Sequence, residues 1–193
     1  MPNKVLIQEM DDTPPQLTFA NFAGDFGPTA GNDLRQGTDT EVELVLLNLA
    51  DTTAAQSAQG DLSANRAQVY AVMTAMEWQV AAATAGESVD FFMNASHSGT
   101  AATANLGGAS GSAAAYSGYS SDLADAVKQL IWIGSMIQTD DAVDSLQIGF
   151  PGLFFPIQRY CSLITKNETG QTLCDTDDIE AHCTLDPIID EIQ

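Results

Sequence analysis

QVYAVMTAMEWQVAAA, residues 68–83, is the stretch on which the fold class turns. Read with a period of two, Tyr70, Val72, Thr74, Met76, Trp78 and Val80 share one face. The opposite face is small or polar, with Ala71, Ala75, Glu77 and Gln79. Such alternation marks a half-buried strand. Read with the helical period, Val69, Val72, Met73, Met76 and Val80 also line up, and Ala, Met, Gln and Glu favour helix by propensity. The strand reading is preferred because the alternation persists through Trp78 and a turn at Ala85-Gly86 follows. Beyond the turn, Val89, Phe91 and Met93 alternate with Asp90 and Asn94, so the two segments together predict a hairpin.

The same pattern recurs outward in both directions. Val42, Leu44 and Leu46 point one way in residues 41–48 while Glu41 and Glu43 point the other. Residues 127–138 are apolar on both faces, which suits a central strand covered on both sides. Residues 146–150 predict a short strand turned by Pro151-Gly152, and residues 160–166 another, turned by Glu168-Thr169-Gly170. Ile179, Ala181, Cys183 and Leu185 close the series inward, with Glu180, His182, Thr184 and Asp186 outward. Residues 51–65 read as a polar loop, and Val5 and Ile7 as a short first strand. About eight strands with turns rich in Gly, Pro and Asp predict an all-β antiparallel β-sandwich of jelly-roll type.

Two segments depart from that pattern. Residues 1–40 read as an N-terminal strand and an extended arm, and residues 41–193 as the sandwich domain. In the arm, Pro14 and Pro15 block a central strand. Phe19, Phe22 and Phe26 follow, interleaved with Gly24 and Gly27. Phenylalanines among glycines need an apolar surface to cover them. That surface is either the protein's own core or a neighbouring subunit, and Phe19, Phe22, Phe26 and Arg35 are the candidate interface residues. The second departure is the loop at 95–121, almost all Ala, Ser, Gly and Thr, with no charged residue between Asp90 and Asp122. Loops of that length are usually functional or disordered.

Charge narrows the function. The 193 residues include 26 acids against 6 Lys and Arg, a net charge of −20. Such a field repels nucleic acid and anionic lipid, so neither is an expected partner. It suits either solubility or the exterior of a large particle. No run approaches 18 apolar residues, and no signal-peptide pattern follows Met1, so synthesis in a cytoplasm is expected. Cys161, Cys174 and Cys183 are odd in number and lack metal-site spacing, which predicts buried thiols.

No catalytic set emerges. Only His97 and His182 could serve a triad, and GASGS at 108–112 misses the closing glycine of a nucleophile elbow. His182 and Cys183 face opposite ways in a strand, which predicts a solvent-facing histidine beside a core cysteine. Glu77 has no second acid two residues away on its face, as a glycosidase pair would need. Asp175, Asp177, Asp178 and Glu180 form an acidic turn without the glycine and glutamate of a calcium loop, so a solvated turn is expected. A carbohydrate-binding sandwich would need exposed aromatics on one sheet face. Trp78 and Trp132 are the candidates, and both read as core. No enzyme, cofactor or metal is expected.

Residues 66–92, 99–118, Val127-Lys-Gln-Leu, Arg159-Tyr160 and the acidic end from Asp178 to Gln193 resemble a small group of tailed-phage proteins of unassigned function. The chain is also similar, in size and inferred fold, to the trimeric decoration (cement) proteins on the outside of phage capsids. That resemblance carries no residue-level motif. It implies a homo-oligomer, expected as a trimer, on the capsid exterior, with the major capsid protein as partner. A phage tail or fibre component would have the same composition.

Overall fold

The computed structural model describes residues 14–64, 66–78, 83–119, 122–139 and 145–188. Two β-sheets pack face to face. The first has the order β2-β1-β11-β5-β9, built from β1 (Gln16–Ala20), β2 (Asp39–Glu43), β5 (Tyr70–Trp78), β9 (Ser145–Phe154) and β11 (His182–Pro187). The second has the order β7-β3-β10-β6-β8, from β3 (Ala54–Gln56), β6 (Ser88–Ser96), β7 (Ala114–Ala115), β8 (Ile131–Ile137) and β10 (Tyr160–Glu168). The short β4 (Gly60–Asp61) pairs with the start of β10. Pairing is antiparallel throughout the described strands except between β1 and β2, which run parallel.

The decisive stretch is a strand. Tyr70, Val72, Thr74, Met76 and Trp78 are all buried, and the side chains of Ala71, Met73 and Glu77 on the other face are only half-buried. Phe19, Tyr70, Met76 and Trp78 of the first sheet meet Phe91, Met93, Cys161 and Leu163 of the second in one continuous core. Burying each of the larger side chains contributes about 1.5–3 kcal/mol. The expected hairpin does not form. β5 pairs with β11 and β9, and β6 pairs with β10 and β8, so the chain crosses between sheets after Trp78. Alternation fixes which face of a strand is buried, not which sheet takes it.

Four further expectations are corrected. Gln16–Ala20 is not part of an extended arm but an interior strand between β2 and β11; Pro14 and Pro15 precede its first residue, where no ladder N–H is required. Residues 51–65 hold β3 and β4, hidden from the sequence because their buried apolar side chains are only Ala54 and Ala55. β8 is an edge strand, not a central one. β9 runs through Pro151-Gly152 rather than turning there; it too is an edge strand, with a bulge beside Val72, the setting in which a sheet tolerates proline. The strand read at Val5 and Ile7 lies outside the described residues.

The small-residue loop is a cover rather than an excursion. Ala109, Tyr116, Ala126 and Val127 pack over Phe92, Ile164 and Ala54 on the outer face of the second sheet. The Tyr116 hydroxyl donates to the Gly107 carbonyl at 2.7 Å, and its burial pushes its pKa up to about 12. A four-residue helix, α1 (Leu123–Ala126), ends the cover, with the Asp122 carboxylate accepting from the Ala124 and Asp125 N–H groups.

Candidate partner-binding surface

The four predicted interface residues fall on the protein's own first sheet. Phe19 is fully buried in the core, which removes it from any external contact. Phe22 and Phe26 meet edge to face at 4.9 Å. Phe26 lies against the His182 ring at 5.3 Å, and the Arg35 guanidinium sits over Phe26 at 5.1 Å while pairing with Asp33. Residues 21–36 therefore fold back over the outer face of β1 and β11. Polar contacts fix them there: Gly27 N–H to the Ile179 carbonyl, Thr29 N–H to Glu180, Leu34 N–H to His182, and Gln36 N–H to the Gln16 side chain. The expectation of a solvent-facing His182 is thus overturned. The side chain points out of the sheet, as its alternation requires, but the arm buries it completely.

The acidic turn is likewise not simply solvated. Asp178 is 2% exposed. One of its oxygens accepts from Asn21 Nδ2 at 2.9 Å, and the other from the Leu46 and Leu47 N–H groups at 3.1 Å each. It fixes the chain after β2 to the start of the arm. Among the described residues, no three His, Cys, Asp or Glu side chains gather as a metal would require. One concavity of about 310 Å³ lies in the cover loop, lined by small residues with Asn105, Ser110 and Tyr119. Its lining holds no carboxylate, histidine, lysine or cysteine, and its only hydroxyl-bearing side chains are Ser110 and Tyr119. Asn94-Ala-Ser and Asn167-Glu-Thr match the N-glycosylation pattern, but both asparagines are fully buried, which closes them to glycans in the folded chain.

The surface feature the sequence reading missed lies where the two sheets meet. β8 and β9 abut backbone to backbone: a Cβ on Gly134 would stand 2.1 Å from the Pro151 carbonyl oxygen, and one on Gly152 would stand 2.7 Å from that of Ile133. Gln147 stitches the same edge by donating to the Ile137 carbonyl. On the β8 side Trp132 is 54% exposed and Ile137 56%. On the outer face of β9, Ile148 and Leu153 stand opposite Ala75 and Ala71, and Phe150 is exposed between them. Phe155 and Ile157, each 59% exposed, continue the row. Among the described residues, seven of the twelve exposed large hydrophobic side chains thus fall between Trp132 and Ile157, and such clustering on a surface marks an interaction site.

Trp132 was read as core because residues 127–138 are apolar on both faces; β8 is instead an edge strand, and a bulge turns Trp132 to its outer face. Phe92 pairs with Trp132 but Phe91 with Gly134, so Ile133 is an extra residue and the faces switch there. Ile133 and Met136 turn inward, leaving Trp132 against the edge of the Phe92 ring at 5.0 Å. One sequence signal was available. SLQIGFPGLFFPIQ, residues 145–158, is a charge-free run in a chain of net charge −20, broken by two prolines that a central strand would not carry.

Compared with known protein families, curated proteins and solved structures, the chain matches none.

Proposed function

We propose that the chain is a non-enzymatic structural protein of a bacteriophage particle, a capsid decoration protein. In this reading a jelly-roll sandwich with its N-terminal arm sits on the capsid exterior as a homo-oligomer, on the major capsid protein. The observation that supports it is the uncharged apolar seam along β8 and β9 on an otherwise strongly acidic molecule. Half-exposed, seven side chains of this size present about 700 Å², close to the roughly 800 Å² that one partner contributes to a standard interface. The acidic remainder of the surface keeps assembled particles apart by like-charge repulsion. The protein is made in the host cytoplasm and needs no nucleic acid or membrane.

Quantitative mass spectrometry of purified particles tests this. Near-equal copies of this chain and the major capsid protein support decoration. A few copies per particle move the protein to the tail or fibres, and absence from the particle removes the structural role.

Exposed Trp132 favours a second reading, a carbohydrate-binding sandwich. A glycan array with bound sugars that are lost in Trp132→Ala would establish it. An empty array would end it.

A further inference from the structure

We infer that His182 is an acid-sensitive latch whose protonation frees residues 26–36 from the outer face of the first sheet. The Leu34 backbone N–H can only donate, and it points at His182 Nε2 at 3.1 Å. Nε2 must therefore accept, which leaves the ring proton on Nδ1, facing the Glu180 carbonyl oxygen at 2.6 Å. Both ring nitrogens are used, and only the neutral tautomer satisfies both partners. A second proton on Nε2 would set two donors against each other in a site with no exposed surface. The Leu34 bond must then break. Phe26, which stacks edge-on against the same ring and carries Arg35 above it, would lose its seat with it.

The surrounding charges do not abolish the effect. From the arm, Asp33 favours the imidazolium and Arg35 opposes it; from the chain leading into β11, Glu180 favours it. β1 carries no ionisable residue. On β5 the residue opposite is Ala75, with Glu77 the next acid along the strand. Burial outweighs these contributions and holds the imidazole below its ordinary 6.5. The open arm exposes a histidine of ordinary affinity and the closed arm one of weaker affinity, so the open form binds more protons. Closure is then at full strength above pH 6.5 and weakens as pH falls below it, by at most about tenfold per pH unit for one proton. The arm's other anchors are insensitive in this range: Glu180, held by the Thr29 N–H, has its carboxyl below the usual carboxylate range, and Asp33 is lowered by Arg35.

The inference does not depend on where the protein works. Its test is paired NMR and hydrogen exchange on the full chain from pH 7.5 to 5. With only two histidines, the His182 signal separates readily from that of exposed His97. The expected result is a His182 midpoint below 6.5, and amide exchange in residues 26–36, corrected for intrinsic rate, rising about tenfold across its titration. Protection in β6 and β10 should stay unchanged. In His182→Gln, which cannot titrate, the arm's exchange should not respond to pH. A His182 midpoint at or above 6.5, or arm protection that persists through its titration, overturns the inference without need of the variant.

Discussion

Replacing Asp178 by alanine tests whether a buried carboxylate fixes the arm and the chain after β2 to the sandwich. In the native protein this side chain receives three N–H groups, from Asn21, Leu46 and Leu47. The three losses are unequal. Leu47 is 41% exposed and Asn21 is half-buried, so both donors can turn to water. Leu46 is 1% exposed, and its N–H has no alternative partner. One fully stranded donor costs about 1–3 kcal/mol, and the loss of two charge-assisted bonds partly replaced by water adds roughly 1 kcal/mol. Asp178→Ala should therefore destabilise by about 3 kcal/mol, which for a chain of this length lowers Tm by roughly 6–12 °C. Thermal unfolding followed by circular dichroism reads the shift. Asp178→Asn, with its amide oxygen toward the Leu46 and Leu47 N–H groups, keeps both of those bonds and turns its NH2 only toward the Asn21 amide, which can flip to accept, so it should recover more than half of the loss. An alanine variant within about 1 kcal/mol of the native protein, or an asparagine variant no more stable than the alanine one, would refute the reasoning.

The other expectations concern the core, the seam and the thiols. Trp78→Ala should cost about 3–5 kcal/mol and Trp132→Ala less than about 1 kcal/mol, and acrylamide should quench only the exposed one of the two tryptophan emissions; equal costs would contradict the bulge at Ile133. In the proposed decoration role, Phe155→Ser and Ile157→Ser should leave Tm nearly unchanged while weakening co-sedimentation with the particle, and undiminished co-sedimentation would remove the seam from the interface. Gly134→Ala would drive a methyl group into the Pro151 carbonyl, so a loss of at least about 2 kcal/mol is expected in denaturant unfolding. Burial pushes the Cys161 and Cys183 thiols up to about 12 and Cys174 also well up. At pH 8 a thiol reagent should find no reactive cysteine in the native chain and three in guanidinium.

The sequence made strand faces legible and left strand partners hidden. Tyr70 to Trp78 and Val89 to Met93 announce their buried faces by alternation, and those faces are buried as read. Nothing in that alternation distinguishes a hairpin from a crossing between sheets. β3 escaped notice because Ala54 and Ala55 are buried without being large. At Ile133 one inserted residue reversed the faces and sent Trp132 outward, an event that a strict period of two cannot express. His182 was assigned the right direction and the wrong environment, since what covers it lies about 150 positions earlier in the chain. Phe19, Phe22 and Phe26 were recognised as needing an apolar surface, and for Phe19 and Phe26 that surface proved to belong to the same chain. The seam was the least visible feature, because an exposed apolar strand and a buried one have similar compositions.

The order of strands in the first sheet sets a timetable for biosynthesis. β11 lies between β1 and β5, yet it is the last described strand to leave the ribosome. Leu17 must wait for Leu185, its cross-strand neighbour. At about 5–20 residues per second, that interval lasts roughly 10–30 s. From the completion of β9 until β11 is made, β1 and β5 each have one free edge and the nascent chain holds an unfinished sheet. The second sheet has all its strands earlier, once β10 is made. Completion of the first sheet therefore waits for β11, and any factor that shields half-built sheets has its window between the emergence of β5 and that of β11.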